Sequence, residues 1–174
     1  MIKGESHMVK VSKDRLVFGV ILLVLIALGE IILHLLHVPA WPAFFIMIFF
    51  FVAHMDAKQV PAMLVGGPFG ILNIIAVKIV VGLLMGLGLS QFASILIYIL
   101  FFVFLIIVLG ESIPVLFNNY AFMAFLFTAT YMKTPDPVNP FVLVAIMLIG
   151  GGLFVVCIQG IVKFLGKLAA AKAG

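Results

Sequence analysis

The apolar stretch at residues 60–87 most restricts how this chain can fold. An α-helix rises about 1.5 Å per residue, so about 20 apolar residues cross the hydrocarbon core of a bilayer, and this stretch exceeds that length. It also contains the sequence Gly-Gly-Pro-Phe-Gly at residues 66–70. Because Pro68 lacks an N–H and its ring clashes with the preceding helical turn, the stretch predicts a membrane-spanning helix that is interrupted near residue 68.

Composition places the whole chain among helical membrane proteins. Of its 174 residues, 66% are hydrophobic and only 9% are charged, and the mean hydropathy is +1.43. A soluble domain of this size carries more charged residues on its surface. The apolar runs are continuous rather than alternating, which argues against a transmembrane β-barrel. We therefore predict an all-α polytopic membrane protein.

Six apolar segments follow one another, and each predicts a transmembrane helix. Turns rich in proline, glycine or polar residues separate them. The segments are residues 15–37, 41–55, 60–87, 91–110, 115–132 and 141–165. A six-helix domain is expected at residues 15–166, with tails at 1–14 and 167–174. The pair His7-Met8 resembles a cloning junction, which leaves open whether residues 1–7 are native.

Basic residues near both ends of the chain predict its topology. They are Lys10, Lys13, Arg15, Lys163, Lys167 and Lys172. The positive-inside rule then places both termini in the cytoplasm, and we expect the cytoplasmic membrane of a bacterium or archaeon. The net charge of +4 comes mainly from these ends, so it indicates topology and not nucleic-acid binding.

The two halves of the chain resemble each other. The matching blocks are Gly29-Glu30 with Gly110-Glu111, residues 63–67 with 147–151, and Val77-Lys78 with Val162-Lys163. Three spans per half is an odd number, so the halves would cross the membrane in opposite directions as a 3+3 inverted repeat. Such repeats place solute sites near the bilayer midplane, beside interrupted helices. The alternative is that similar spans merely share a membrane composition.

Lys78 is the most conspicuous polar residue within the predicted spans. It lies eighteen residues after Val60, where an ammonium surrounded by hydrocarbon is costly. Glu30 is the expected partner, because both residues fall in the outer half of the predicted topology. The pair could bind or gate a polar solute. Two alternatives stay open, namely a structural ion pair and a Lys78 side chain that extends to the outer headgroups.

Four further residues complete the predicted solute pathway. Asn73 lies in the third span, and Asn119 begins the fifth together with Asn118, although this pair could instead cap a helix. Gly67 and Pro68 would shape the interruption, whose N–H groups could face a solute. Close helix packing is the alternative use of these small residues. We expect packing for the glycines at residues 150–152, because no proline accompanies them.

Glu30, His34 and His37 are spaced so that they share one face of a helix. Two imidazoles and a carboxylate could bind a transition metal. The simpler interpretation is that these histidines lie in the wet interface at the end of the first span. We therefore expect neither a metal site nor another cofactor.

A Pro-aromatic span, a polar turn and a Gly-rich span follow one another at residues 41–87. Their distinguishing residues are Trp41-Pro42-Ala43-Phe44, Asp56-Ala57-Lys58-Gln59, and Gly66-Gly67 with Gly70. This order resembles small bacterial inner-membrane families of unknown function, such as the DUF1097 group. The resemblance implies a small multispanning protein and assigns no functional residue.

The sequence contains no nucleotide-binding loop, dinucleotide fingerprint or nucleophile elbow, so we do not expect an enzyme. The preferred hypothesis is a homo-oligomer in the lipid bilayer that passes a small polar or anionic solute, as a channel or a secondary transporter. The alternative is a non-transporting membrane scaffold, or the substrate-binding subunit of a larger transporter.

Overall fold

The computed structural model describes residues 12–173, and within them the fold is entirely helical. The α-helices are α1 (Lys13–Leu35), α2 (Trp41–Val52), α3 (Val60–Gly86), α4 (Gln91–Leu109), α5 (Asn119–Tyr131), α6 (Pro140–Ile146) and α7 (Gly152–Ala173). A 3-10 turn (Ala57–Gln59) leads into α3, and a π-helical turn (Met147–Gly151) joins α6 to α7. The predicted all-α class is confirmed.

Four helical stretches are long and apolar enough to cross a membrane. They are Lys13–Leu35, Ala57–Gly86, Gln91–Leu109 and Pro140–Ala171. By contrast, α2 has 12 residues and α5 has 13, which makes each about 18 to 20 Å long. The hydrocarbon core is about 30 Å thick. Each of the six apolar segments thus contains a helix, but only four of these helices have the length of a full span.

The turns between segments supply the caps that begin most helices. Ser12 and Ser90 each accept a hydrogen bond from the backbone N–H three residues later, at 3.3 Å. Asn118 caps α5 in the same manner, at 3.0 Å, and Asn139 caps α6 by accepting from the N–H of Phe141, two residues later, at 2.9 Å. Each side-chain oxygen satisfies an N–H that would otherwise have no acceptor inside the helix.

The core lies between α2, α3 and α5. Half of α2 is buried: Pro42, Ala43, Ile46, Met47, Phe49 and Phe50. Helix α3 buries eight residues, mainly in its first half, and in α5 the buried residues are Ala121, Ala124, Phe125 and Thr128. On α1, in contrast, only Leu33 is buried. Helix α1 therefore lies at the periphery.

Contacts between the helices give their relative directions. Helix α5 packs against α3 in the same direction, and α4 packs against α3 in the opposite direction. Helix α2 lies along the π turn and α7 in parallel, whereas α1 packs antiparallel to α7. Aromatic contacts show that α2 and α5 are antiparallel, since Trp41 meets Tyr131 and Phe49 meets Tyr120. Together these contacts make α1 and α3 parallel to each other.

The interruption predicted at residues 66–70 is wrong, because α3 is continuous from Val60 to Gly86 with Pro68 inside it. Pro68 lacks the N–H that would bond to the Leu64 carbonyl. Membrane helices tolerate this loss where neighbouring helices pack closely, and Gly66, Gly67, Pro68 and Gly70 are all buried. The irregular turn lies instead at Met147–Gly151, where packing in a regular helix was expected.

The first and last helices of the structure also differ in their ends from the predicted membrane domain. Helix α1 begins at Lys13, two residues before the predicted first span. Helix α7 continues to Ala173, so the predicted basic tail at 167–174 begins inside a helix. Residues 1–11 of the predicted N-terminal tail and Gly174 lie outside the described residues.

Candidate functional site

The predicted pathway residues fall into an exposed set and a buried set. Glu30, Lys78 and Asn119 are exposed on α1, α3 and α5 respectively. Within residues 12–171, no carboxylate–ammonium pair within 4.0 Å joins Glu30 to Lys78. Helix α1 packs mainly against α7. The predicted ion pair is therefore not formed within one chain.

Asn73 is buried, and its amide oxygen and its amide nitrogen each form one hydrogen bond. Its Oδ1 accepts a bond of 2.6 Å from the Tyr98 hydroxyl, and its Nδ2 donates to the Phe69 carbonyl at 3.2 Å. These bonds join α3 to α4, so Asn73 is a packing residue in this conformation and does not face a solute. Tyr98 is not among the residues that the sequence singles out, although it is the only tyrosine of the fourth segment.

Asn118 has the capping role that the sequence left as an alternative. Besides capping α5, its Nδ2 lies 3.3 Å from the Ala62 carbonyl of α3, and 2.8 and 3.0 Å from the carbonyls of Pro114 and Val115. Asn118 thus fixes the start of α5 against the start of α3. The adjacent Asn119 is exposed.

Glycines allow α3 to approach its neighbours closely. A Cβ on Gly70 would collide with the Ala121 carbonyl oxygen of α5. A Cβ on Gly67 would lie only 2.8 Å from the Met147 sulfur, at the crossing of α3 with the π turn. The residues at 66–70 therefore serve close helix packing, as small residues commonly do in membranes.

The π turn is the second place where helices approach each other closely. Cβ atoms on Gly150 and Gly151 would lie 2.8 Å from Ala43 Cβ and 2.6 Å from the Ile46 side chain. Helix α2 thus rests directly on the π turn, while α3 crosses the same turn at Met147. Single π turns within α-helices occur frequently at functional sites, and this one lies at the centre of the bundle.

An aromatic ladder fills the space between α2 and α5. We use this name for Trp41, Phe45, Phe49, Tyr120, Phe127 and Tyr131. The ring centroids of Trp41 and Phe45 each lie 4.8 Å from that of Phe127, and those of Phe49 and Tyr120 are 4.9 Å apart. Within the described part of the chain, the buried Nε1 of Trp41 has no hydrogen-bond acceptor.

A cavity of about 200 Å³ lies where α2 ends. Its lining is Phe50, Met55, Ala57, Gln159, Val162 and Lys163. We call it the Lys163 cavity. His54 and Met55 have φ of 53° and 60°, and this left-handed pair turns the chain from α2 towards α3. The cavity combines an ammonium and a carboxamide with an apolar wall.

Lys78 lies towards the opposite face of the bundle from the Lys163 cavity. Because Gly70 packs beside Ala121 and Ala124 and the two helices run in parallel, Lys78 lies level with the last turn of α5. The polar turn at residues 132–139 begins at that level.

The residues of the alternative metal site do not converge. Glu30, His34 and His37 are exposed, and the Nδ1 of His37 lies 3.1 Å from the Leu35 carbonyl of its own turn. The described residues contain no group of three His, Cys, Asp or Glu side chains that could hold a metal ion.

Comparisons of the chain with protein-family models, with curated proteins and with solved structures found no match. The resemblance to the DUF1097 group therefore stays a prediction, and function has to be argued from the geometry above.

Proposed function

We propose that this chain is a six-span membrane protein, built as a 3+3 inverted repeat, that carries a small polar or anionic solute across the membrane. The observation that carries this proposal is the pair of half-length helices, α2 and α5, each packed against a long helical stretch of the other half. Each ends in a polar turn, the two turns lie at opposite faces, and Lys163 lines a cavity beside the turn after α2.

The pattern of helix contacts supports the repeat. Each half consists of a long, a short and a long helical stretch, and the short helix of one half packs on the last stretch of the other. In the repeat, α1 corresponds to α4 and α7 corresponds to α3. The packed pair α1–α7 therefore corresponds to the packed pair α4–α3, and both pairs are antiparallel. A pseudo-two-fold axis in the membrane plane produces such an exchange. It passes near the crossing of Gly67 with Met147.

The length of the short helices supports a solute route. At about 18 to 20 Å, they are roughly 10 Å shorter than the hydrocarbon core, so the turns at their ends lie at membrane depth. Non-helical backbone at that depth is tolerated where protein buries it or where it lines water. We infer an outer vestibule at residues 132–139 and an inner vestibule at the Lys163 cavity.

Lys163 indicates the class of solute. It lines the inner vestibule near the carbonyl end of α2, where a cation is favoured. An ammonium there attracts small anions and donates hydrogen bonds to polar solutes. Asn119, exposed at the start of α5, contributes an amide on the inner side.

The aromatic ladder separates the two vestibules. Phe45 and Phe127 close the space between α2 and α5, so passage requires these rings to rotate. The Nε1 of Trp41 is a donor without an acceptor in the described residues, and a passing solute could satisfy it. In this proposal Gly67 and Pro68 shape the packed crossing beside the ladder, and Asn73 positions α3.

Flux into proteoliposomes that contain only the purified chain tests the proposal. Stopped-flow light scattering would follow entry of chloride, formate, nitrate and urea. We expect flux above that of empty liposomes for at least one of these solutes, and a loss of at least about tenfold in Lys163→Ala, with Lys167→Ala as the matched control. A folded chain with no flux for any small anion or polar solute would overturn the proposal.

The second candidate function is a non-transporting scaffold or a subunit of a larger transporter. One observation favours it: two apolar cavities, of about 280 and 510 Å³, lie along the junction of α1 and α7. A helix of a partner protein would fit such a surface. Co-purification of a stoichiometric partner, together with absence of flux, would favour this function over transport.

A further inference from the structure

Glu30 and Lys78 are opposite charges that have no partner within the described residues of one chain. Both are exposed on otherwise apolar surfaces. Leu23 and Ile31 flank Glu30 on α1, with exposed fractions of 66% and 55%, and Ile79 and Leu83 flank Lys78 on α3, with 60% and 66%. An isolated charge facing lipid is costly, so each surface should bind a protein surface that carries the opposite charge.

We propose that a second copy of this chain provides that surface, and that Glu30 of one copy forms an ion pair with Lys78 of the next. The α1 surface around Glu30 then docks on the α3 surface around Lys78. This interface does not depend on the transport function.

The depths of the two residues agree with this pairing. Helices α1 and α3 are parallel, so their C-terminal ends lie at the same face of the bundle. Glu30 precedes the end of α1 by five residues and Lys78 precedes the end of α3 by eight, or about 7.5 and 12 Å along the helices. The remaining offset is within the reach of a lysine side chain.

The α3 surface is shaped to receive a helix. Gly82 and Gly86 follow Lys78 at intervals of four residues on the same helix face, and a Cβ on either would meet nothing within 4 Å. This G-x-x-x-G spacing lets helix backbones approach closely in membranes. The opposite charges of Glu30 and Lys78 then select α1 of a neighbouring copy as the partner, with Ala27 beside Glu30 to permit the approach.

The two docking surfaces are different, and this has a consequence for the assembly. A contact that joins the α1 surface of one copy only to the α3 surface of the next is heterologous, and its repetition gives a ring where the rotation between copies closes. In a two-fold dimer, both surfaces of one copy would meet both surfaces of its partner, so that Glu30 contacts Lys78 and Lys78 contacts Glu30. The proposal therefore predicts a ring or such a dimer, with every Glu30–Lys78 pair satisfied.

Charge exchange tests the interface. The mass of the protein in detergent, measured by light scattering after size exclusion, should correspond to an oligomer for the wild type. Glu30→Lys and Lys78→Glu should each lower the assembled fraction by about tenfold or more, because each places two like charges at the interface. The double variant should recover the assembly, and Lys163→Glu, at the matching position of the second half, should leave the mass unchanged.

A carbodiimide provides a direct readout in native membranes, since it condenses adjacent carboxylate and amine groups into an amide. We expect a cross-link between peptides that contain Glu30 and Lys78, in a band of twice the monomer mass. Helical circular dichroism would verify that each single variant is folded. A monomeric wild type without this cross-link, folded single variants of unchanged mass, or a folded double variant that fails to reassemble would each overturn the proposal.

Discussion

The hydroxyl of Tyr98 donates a 2.6 Å hydrogen bond to Oδ1 of Asn73, and this bond joins α4 to α3 inside the bundle. Interhelical hydrogen bonds in membrane proteins are worth about 1 kcal/mol. We expect Tyr98→Phe and Asn73→Ala each to destabilise the fold by about that amount or slightly more. A double-mutant cycle, measured by unfolding in mixed micelles, should give a coupling energy near 1 kcal/mol. A coupling energy of zero would show that the bond contributes nothing.

Gly70 and Gly160 make a matched pair of glycine substitutions. Gly70→Ala places a methyl group against the Ala121 carbonyl, so α3 and α5 have to separate, and we expect a loss of roughly 2 to 4 kcal/mol. Nothing approaches a Cβ at Gly160, where alanine should be neutral or stabilising by up to about 1 kcal/mol. Thermal and denaturant unfolding in detergent would compare them, and equal effects would contradict the close crossing.

Substitutions of Asn118 and Asn119 compare a structural amide with an exposed one. Asn118→Ala removes the cap of α5 and the bond to Ala62, so we expect a loss of about 1 to 2 kcal/mol in the free energy of unfolding. Asn119→Ala should change it by less than about 0.5 kcal/mol. Asn118→Asp keeps the capping oxygen but not the Nδ2 donor, and an intermediate stability would separate the two contributions.

Trp41→Phe should distinguish a packing role from a pathway role. Removing the buried Nε1–H relieves a donor that has no acceptor within the described residues, while the smaller ring loses contacts in the aromatic ladder, so we expect the free energy of unfolding to change by less than about 1 kcal/mol. If a solute uses this donor, the same substitution should slow flux in proteoliposomes by about tenfold. Stability that is retained together with unchanged flux would remove Trp41 from the pathway.

Much of the helical architecture could be predicted from the sequence, for a local reason. Continuous apolar runs bounded by Ser90, Asn118 and Asn139 mark helices directly, because the helix period and the capping residues are local properties. The continuity of α3 through Pro68 could not be predicted in this way. Tertiary packing around the flanking glycines keeps α3 helical, and a sequence pattern cannot weigh that packing against the missing hydrogen bond.

The candidate site was less predictable, because the residues that contact one another there are far apart in the sequence. Tyr98 and Asn73 are separated by 25 positions, and neither side chain identifies the other as its partner. The π turn at Met147–Gly151 contains no proline to mark it. Glu30 and Lys78 are conspicuous as charges, but a pattern within one chain cannot show that both face outwards.

In the proposed transporter, the half-length of α2 and α5 would also set where a membrane voltage acts. A potential of 100 mV corresponds to about 2.3 kcal/mol for each charge that crosses it. Where water-filled vestibules confine that drop to about 18 to 20 Å instead of 30 Å, the local electric field is about one and a half times stronger. An anion would then cross nearly the whole voltage along the length of α2, between Trp41 and Val52, so the full electrical energy would act on that single step.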